Sequence, residues 1–271
     1  YSDEQIKVKA DLEKQIADQI VDLQKNDTVF ELEFSKWHKS EQEKATSWKT
    51  IRPTSMQSNL AKLEVMEDGS IYSSGDVTKR DVFDLNFTSD QPITALRLEA
   101  LTDDRLPGYG PGRCYYEGRK GTFFLSEVEV KTANGIKVPL SKPIASGGNG
   151  AEKVIDQDGS SGWSSAIGQA NHLILPLTKP LPANQSLSIS LLFERHFVAS
   201  LGRFRISATS RAKQPKAAKI GVEAERILSL RDKASAEDLT QLRSIYLEKV
   251  FLEKPSPAKP GTMQKNTQWI W

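Results

Sequence analysis

Apolar and polar residues follow two different periods along the chain, and the period changes twice. Residues 1–46 place apolar side chains three or four positions apart, as an amphipathic helix does. Residues 47–210 break into short runs with turn residues between them, and residues 211–254 return to the helical period. We therefore predict an N-terminal helical hairpin, a β domain, a C-terminal helical pair and, over residues 255–271, an extended Pro-rich tail.

The helical regions carry N-terminal capping signals. Thr28 and Glu31 have the spacing of a capping box at the start of TVFELEFSKWHKSEQEK. Ser235 and Asp238 provide a similar signal in the C-terminal region, ahead of an apolar stripe that reaches Val250. These signals predict helices that begin close to Thr28 and to Ser235.

The central region contains at least eight short runs typical of strands, among them IYSSG, DVFDLNF, ITALRLEAL and LSISLLFER. Asn134-Gly135 predicts a tight hairpin turn into IKVPL. No long helix interrupts these runs, which favours an antiparallel β-sandwich over an α/β arrangement. The fold class is therefore mainly β, with Greek-key or jelly-roll connections expected and helical hairpins on both sides.

Composition and charge narrow the range of partners. The chain has 271 residues, of which 38% are hydrophobic and 27% charged, which is enough apolar material for a core. No apolar run reaches the roughly 18 residues of a spanning helix, so no membrane span is predicted. The net charge of +2 provides no general field for nucleic acid, and the basic segments RAKQPKAAK and GRFRIS are balanced by nearby acids.

Cys114 is the single cysteine, which excludes an internal disulfide and a cysteine-rich zinc site. A c-type haem needs two cysteines and a histidine in C-x-x-C-H, so no haem is predicted in this chain. We expect Cys114 to be a buried, unreactive thiol. The chain begins at Tyr1 without a signal peptide, which fits a mature protein or a piece of a longer one.

The sequence predicts no enzyme active site. No nucleophile-elbow motif is present, and the histidines His38, His172 and His196 fit structural roles in a helix or at strand ends. Asp103 and Asp104 are adjacent acids, a pair that glycosidase chemistry could use in principle. Adjacent acids in a turn more often cap or solvate it.

The segment TDDRLPGYGPGR, continued by CYYEGRKG, is the main candidate for ligand contact. Its tyrosines offer ring faces on which pyranose C–H groups stack, and its charged groups offer directional hydrogen bonds and an arginine fork for oxyanions. The candidate ligand-binding residues are Asp103, Asp104, Arg105, Tyr109, Arg113, Tyr115 and Tyr116. An alternative assigns the G-P-G-R part to a turn that the fold requires, with Arg113 as an internal clamp bonded to carbonyls or to Glu99. For Arg97, too, the alternative is a role in stabilising the fold.

A second candidate is the turn VIDQDGSSGWSSA. Asp156, Asp158 and Ser160 fall at alternating positions near a glycine, where carboxylate and carbonyl oxygens could hold calcium. The alternative is a turn bonded by its own side chains, which seats Trp163 in the core.

Several motifs occur together in a fixed order: ITALRLEAL, LPGYGPGR, GTFFLSEVEV, VIDQDGSSGW and LGRFRISAT. In this order they resemble the central region of large planctomycete proteins that carry planctomycete-specific cytochrome c-type and PSD-type domains, over roughly residues 30–250. The I-D…G-W turn and the L-S-E strand also resemble galactose-binding-like (discoidin-type) sandwiches. This second resemblance implies carbohydrate binding, export to the periplasm or cell surface, and calcium bound by Glu127, Asp156 and Asp158.

The chain departs from the family pattern in three places. The loop before Gly121 is lengthened by CYYEGRK, which alters any pocket beside it. Thr122 stands where the family has asparagine, and the I-D-G turn is interrupted by Gln157 and Asp158, which weakens the calcium prediction.

Together, the residues and the resemblance predict a non-catalytic polysaccharide-binding module of a larger exported protein. The alternative is a scaffold that holds neighbouring domains of that protein and has no ligand of its own. Fold resemblance alone does not decide between them.

Overall fold

The computed structural model describes residues 28–115, 118–164, 169–195, 199–211, 215–217 and 220–251, together with positions 11, 14 and 18. Apart from these three positions, the first predicted helix lies outside the described residues. The predicted tail, Tyr116 and His196 also lie outside them.

The described residues are mainly β, and every strand pair is antiparallel, as predicted. The strands are β1 (Lys49–Thr50), β2 (Pro53–Ser58), β3 (Ala61–Val65), β4 (Ile71–Gly75), β5 (Asp81–Ser89), β6 (Ile93–Ala100), β7 (Glu127–Thr132), β8 (Ile144–Ala145), β9 (Asn171–Leu181), β10 (Gln185–Phe193) and β11 (Arg203–Thr209). The helices are α1 (Thr28–Lys44), α2 (Val222–Leu230) and α3 (Ala236–Tyr246), with short 3₁₀ turns at Pro107–Tyr109, Ala151–Ile155 and Arg231–Lys233 and a π turn at Leu247–Phe251.

The strands form two sheets that share one core. The seven-stranded sheet has the order β3-β4-β11-β6-β9-β8, with β1 paired to β11, and the four-stranded sheet has the order β2-β5-β10-β7. Alternate residues of β5 point inward, so that Phe83, Leu85 and Phe87 are fully buried. Phe83 stacks on Phe204 of the other sheet with 5.8 Å between ring centroids, which places the core between the sheets.

Two compact units make up the chain. The unit that spans Glu41–Lys233 contains both sheets and α2. In this unit β6 is buried on both faces: Leu96 and Leu98 lie in the shared core, and Arg97 on the other face is bonded to Glu225 of α2 at 2.8 Å. The prediction that Arg97 serves the fold is confirmed by this contact.

The other unit combines Tyr1–Ser40 with Ala234–Trp271. Here Phe30 and Phe34 of α1 pack against Tyr246 of α3, each with 5.5 Å between ring centroids. The predicted cap of α3 is confirmed, because Ser235 and Asp238 form a reciprocal capping box. α2 groups with the sheets, whereas α3 groups with α1. Among the described helices, none is both long and apolar enough to cross a membrane.

Two further predictions concern His172 and Cys114, and both residues are buried. His172 opens β9 and is 1% exposed, and burial followed by the charge of Arg97 lowers its pKa to about 3, so it is neutral at ordinary pH. Cys114 is also buried, as predicted. Neither residue lines the two clefts described below.

Candidate functional site

The candidate loop leaves β6 and is ordered first by Asp103. The Asp103 carboxylate accepts the backbone N–H of Arg105 at 3.0 Å and two bonds from the Arg105 guanidinium, each 2.8 Å long. Arg203 adds a third cationic contact at 3.3 Å. The hydrogen bonds from Arg105 are the main reason that the pKa of Asp103 falls to about 2. Asp103 therefore holds the loop in place, and its oxygens are already occupied by protein donors.

The tip of the loop is a 3₁₀ turn at Pro107–Tyr109. Gly108 and Tyr109 both have left-handed backbone angles, with φ of 59° and 56°. This conformation turns the Tyr109 ring outward, where 65% of the residue is exposed. Asp104 is exposed as well.

The Gly110–Arg113 segment is packed backbone to backbone against two other parts of the chain. Gly112 donates to the carbonyl of Gly121 at 2.9 Å, and Arg113 donates to the carbonyl of Ser200 at 3.0 Å. A Cβ on Gly110 would lie 2.1 Å from the Gly121 oxygen. The prediction that G-P-G-R is a turn required by the fold is confirmed by these contacts.

Arg113 fastens this loop to the end of β4. Its Nη1 donates to the Ser73 hydroxyl and to the carbonyl of Asp76, both at 3.3 Å, and its Nη2 donates to the carbonyl of Gly75. Arg113 is therefore a clamp that bonds carbonyls, as the alternative interpretation predicted, but the prediction that it clamps its own loop is wrong, because these carbonyls lie at the end of β4. Glu99 bonds Arg97 and Arg205 instead. Burial lowers the pKa of Arg113, which is only 8% exposed.

A cleft of about 580 Å³ lies between the end of β4 and the candidate loop. The cleft brings together three of the predicted ligand-binding residues, Arg105, Arg113 and Tyr115, and it does not include Asp103, Asp104 or Tyr109. The wall that β4 and the residue after its end contribute was not predicted; its polar lining residues are Tyr72, Ser73, Ser74 and Asp76.

Aromatic and cationic groups meet at the mouth of this cleft. The Arg105 guanidinium lies 3.9 Å from the centroid of the Tyr72 ring, within the range of a cation–π contact. Tyr115 is 53% exposed on the loop side. The arrangement offers an exposed tyrosine, a second tyrosine covered by Arg105, and two arginines, which suits a polar ligand with flat C–H surfaces.

The second candidate turn is bonded by its own side chains. Asp156 accepts the Ser161 hydroxyl at 2.6 Å and the N–H of Asp158 at 3.0 Å, and Asp158 accepts the N–H and the hydroxyl of Ser160 at 2.9 and 2.7 Å. Trp163 is fully buried behind this turn, as the alternative interpretation of the turn predicted. Hydrogen bonds within the turn and the burial of Trp163 thus account for the motif without a bound ion.

Glu127 and Asp156 face each other across this turn. Burial is the main cause that raises the pKa of Glu127 to about 7, and a hydrogen bond with Asp156 adds to it. No group of three or more histidine, cysteine or acidic residues among the described residues is placed to hold a metal ion. The carboxylates of Asp156 and Asp158 bond to donors of the turn, and the carboxyl of Glu127 faces Asp156. Calcium stays a prediction.

Glu127 also lines a second cleft, of about 610 Å³, on the outer side of the four-stranded sheet. Val82, Leu192 and Ile155 form part of its floor, and Glu127, Glu129 and Glu194 are its acidic groups. The lining combines residues of β5, β7 and β10 with residues 137–140 and with Ile155, Gln157 and Gly159 of the second candidate turn. The turn was singled out in the sequence, whereas the contribution of the strands was not predicted.

The shifted pKa of Glu127 predicts a pH dependence of stability. Its pKa is about 7 in the folded protein and 4.5 in the unfolded chain, so the folded state binds more protons between these values. The free energy of unfolding should therefore fall as pH rises from about 4.5 to 7, and this group should contribute no slope outside that window. We expect Glu127→Gln to remove this part of the slope.

The measurement is a comparison of melting temperatures of wild type and Glu127→Gln across pH 4 to 8. The variant should gain on the wild type as pH rises. His172 titrates with the opposite sign, since its pKa is depressed, but it is present in both proteins and cancels in the comparison. A difference between the two proteins that does not change with pH would show that Glu127 ionises normally.

Comparison with known proteins gives only distant similarity. No family model matches the chain, and no curated protein matches it. Two solved structures titled as the catalytic domain of GH87 alpha-1,3-glucanase in complex with nigerose have TM-scores of 0.29. The first has 14% identity over 65% of this chain and 30% of that chain, and the second has 12% identity over 70% of this chain and 34% of that chain. The chain thus spans about a third of their length. At these TM-scores the likeness carries no argument about function.

Proposed function

We propose that this chain is a non-catalytic polysaccharide-binding module whose two sheets form a jelly-roll, galactose-binding-like sandwich. The observation that carries the proposal is the cleft between β4 and the candidate loop, where Tyr72, Arg105, Arg113 and Tyr115 converge. Binding sites of this kind combine aromatic surface with a few placed polar groups.

The proposed mechanism is stacking of a sugar ring on Tyr115, with hydrogen bonds from the groups behind it. Ser73 and Ser74 can donate or accept through their hydroxyls, Asp76 can accept, and Arg113 can donate. The cleft is open and shallow, so we expect dissociation constants between micromolar and millimolar, or about −4 to −8 kcal/mol.

A glycan array probed with the 271-residue chain tests the proposed function, and calorimetry then measures the affinity for the glycan that binds best. We expect Tyr115→Ala to weaken binding about tenfold, which corresponds to about 1.4 kcal/mol, because it removes the exposed stacking face. Ile136→Ala is the matched control: Ile136 is 66% exposed, does not line the cleft and should leave affinity unchanged.

An empty array would contradict the proposed function. Unchanged affinity in Tyr115→Ala, with binding still detected, would remove the candidate loop from the site. Tyr116→Ala extends the test to the neighbouring ring. Repeating the titration in EDTA tests the predicted calcium, which has no part in binding if affinity stays the same.

We also propose that the chain belongs to an exported planctomycete protein with cytochrome c-type and PSD-type domains, located at the periplasm or cell surface. This proposal is supported by the ordered motifs of the sequence alone. Fractionation of the source cells, with the chain recovered from the cytoplasm, would contradict it.

One observation favours the alternative function of an interdomain scaffold. Val29 and Leu32 lie three positions apart on α1 and are 59% and 57% exposed, which is an apolar surface on a flanking helix. An empty glycan array, together with binding of the chain to separately produced domains of its parent protein, would select this alternative.

A further inference from the structure

We infer that the sugar bound in the cleft between β4 and the loop carries an oxyanion, a carboxylate or a sulfate ester, and that this group binds Arg113. The inference rests on the proposed function, because it assigns a chemical class to the ligand of the same site.

The first observation is the incomplete pairing of Arg113. Arg113 is 8% exposed as a residue and lines the cleft, yet its guanidinium donates to neutral acceptors: the Ser73 hydroxyl and the carbonyls of Gly75 and Asp76. Among the described residues, no carboxylate forms an ion pair with it. A guanidinium has five N–H donors, and these contacts use three. A nearly buried cation with spare donors favours an anionic partner.

The second observation is the contrast with Arg97, which is also buried in the same unit, at 4% exposed. Arg97 bonds Glu99 at 2.6 Å and Glu225 at 2.8 Å, so its charge is matched within the protein. Both arginines are held by the fold, but only Arg113 lies beside an open cleft. The difference indicates that the partner of Arg113 comes from outside.

Two nearby carboxylates interact electrostatically with Arg113 but form no hydrogen bond to its guanidinium among the contacts between described residues. Asp81 and Asp76 both favour the charged form of Arg113 through their fields. Asp81 accepts the N–H of Asn59 at 3.3 Å, and its burial raises its pKa. Asp76 contacts Arg113 through its carbonyl. The in-plane edge of the guanidinium therefore stays available for a bidentate contact.

The third observation is the charge of the lining. Arg105 and Arg113 both line the cleft, and Asp76 is the acid among the described lining residues. Arg105 uses its Nε and Nη2 on Asp103, and Arg105 is about half exposed at the rim. One arginine at the rim and one at the floor favour an anionic ligand over a neutral one.

The experiment uses pairs of oligosaccharides that differ only in the oxyanion. One pair is an oligogalacturonate and its methyl ester, and the other is a sulfated carrageenan oligosaccharide and its desulfated form. In at least one of the two pairs, calorimetry with the full chain should show that the member whose anion is masked or removed binds at least tenfold more weakly than the anionic member. The pair that responds identifies carboxylate or sulfate as the source.

The outcomes separate this inference from the proposed function. Equal affinity for the anionic and neutral members of both pairs would overturn the inference and leave the proposed function in place. Absence of binding to all four, with an empty array, would overturn both. A single-stranded DNA of equal charge that binds as tightly as the best sugar would overturn the assignment to saccharides.

Two variants of one loop provide the matched control. Arg105→Gln and Arg119→Gln each remove one positive charge, and only Arg105 lies at the cleft. We expect Arg105→Gln to weaken binding of the anionic sugar about fivefold and Arg119→Gln to leave it unchanged. Equal weakening by both would indicate a general field rather than a site. Arg113→Lys keeps the positive charge but loses the bidentate guanidinium. Because Arg113 also fastens the loop, the melting temperature of this variant is compared with that of the wild type before its affinity is interpreted.

Discussion

Replacing Arg97 with methionine is expected to cost about 3–5 kcal/mol of unfolding free energy, since it breaks a buried ion pair on one side. Arg97 bonds Glu99 at 2.6 Å and Glu225 at 2.8 Å, and all three side chains are at most 5% exposed. In the variant, Glu99 keeps its ion pair with Arg205. Glu225 loses its ion pair with Arg97 and keeps a hydrogen bond from the N–H of Thr46 at 3.2 Å. Urea unfolding at pH 7 measures the loss.

The matched control lies on the same helix as Glu225. Arg226 of α2 pairs with Glu223 at 2.8 Å, and both side chains are 47% exposed. Water screens such a pair, so Arg226→Met should change stability by less than about 1 kcal/mol. Equal losses in the two variants would contradict the role of burial. The double variant Arg97→Met/Glu225→Gln should recover part of the loss, since it no longer buries an uncompensated charge.

This ion-pair network also marks a limit of sequence-based prediction. Arg97 and Glu225 are 128 positions apart, and nothing in either local pattern indicates their contact. By contrast, the alternation in β5 and the cap of α3 depend on residues a few positions apart, and both were predicted. Local periodicity and capping chemistry are readable from sequence, whereas pairing across the fold depends on which strands become neighbours.

The residues of the candidate site also fall into those that the sequence could predict and those that it could not. Arg105, Arg113 and Tyr115 lie within eleven consecutive residues, so a single loop with mixed aromatic and charged side chains could be recognised directly. Tyr72 could not, because it reaches the cleft only through the pairing of β4 with β11 and the clamp from Arg113. IKVPL was expected to form the return strand of a hairpin, and the turn itself is present. Instead of a strand, the segment forms two isolated bridges, from Lys137 to Lys131 and from Leu140 to Leu177.

Replacing Gly112 with alanine is expected to destabilise the sheet-containing unit by about 3 kcal/mol or more. A Cβ at this position would lie 1.9 Å from the carbonyl oxygen of Thr122 and 2.3 Å from its carbonyl carbon. Both atoms belong to the backbone and cannot rotate away, so the loop or the 121–123 segment has to move. Circular dichroism during thermal unfolding measures the loss.

Gly159→Ala is the matched control, because its added Cβ would meet only the Oε2 end of the Glu194 side chain, at 2.5 Å. A flexible carboxylate can swing aside, so this variant should lose less than about 1 kcal/mol. A stable Gly112→Ala protein that no longer binds sugar would place the G-P-G-R turn in the site itself. The expected result, a large loss of stability, keeps Gly112 in the frame that holds Arg113 and Tyr115 beside the cleft.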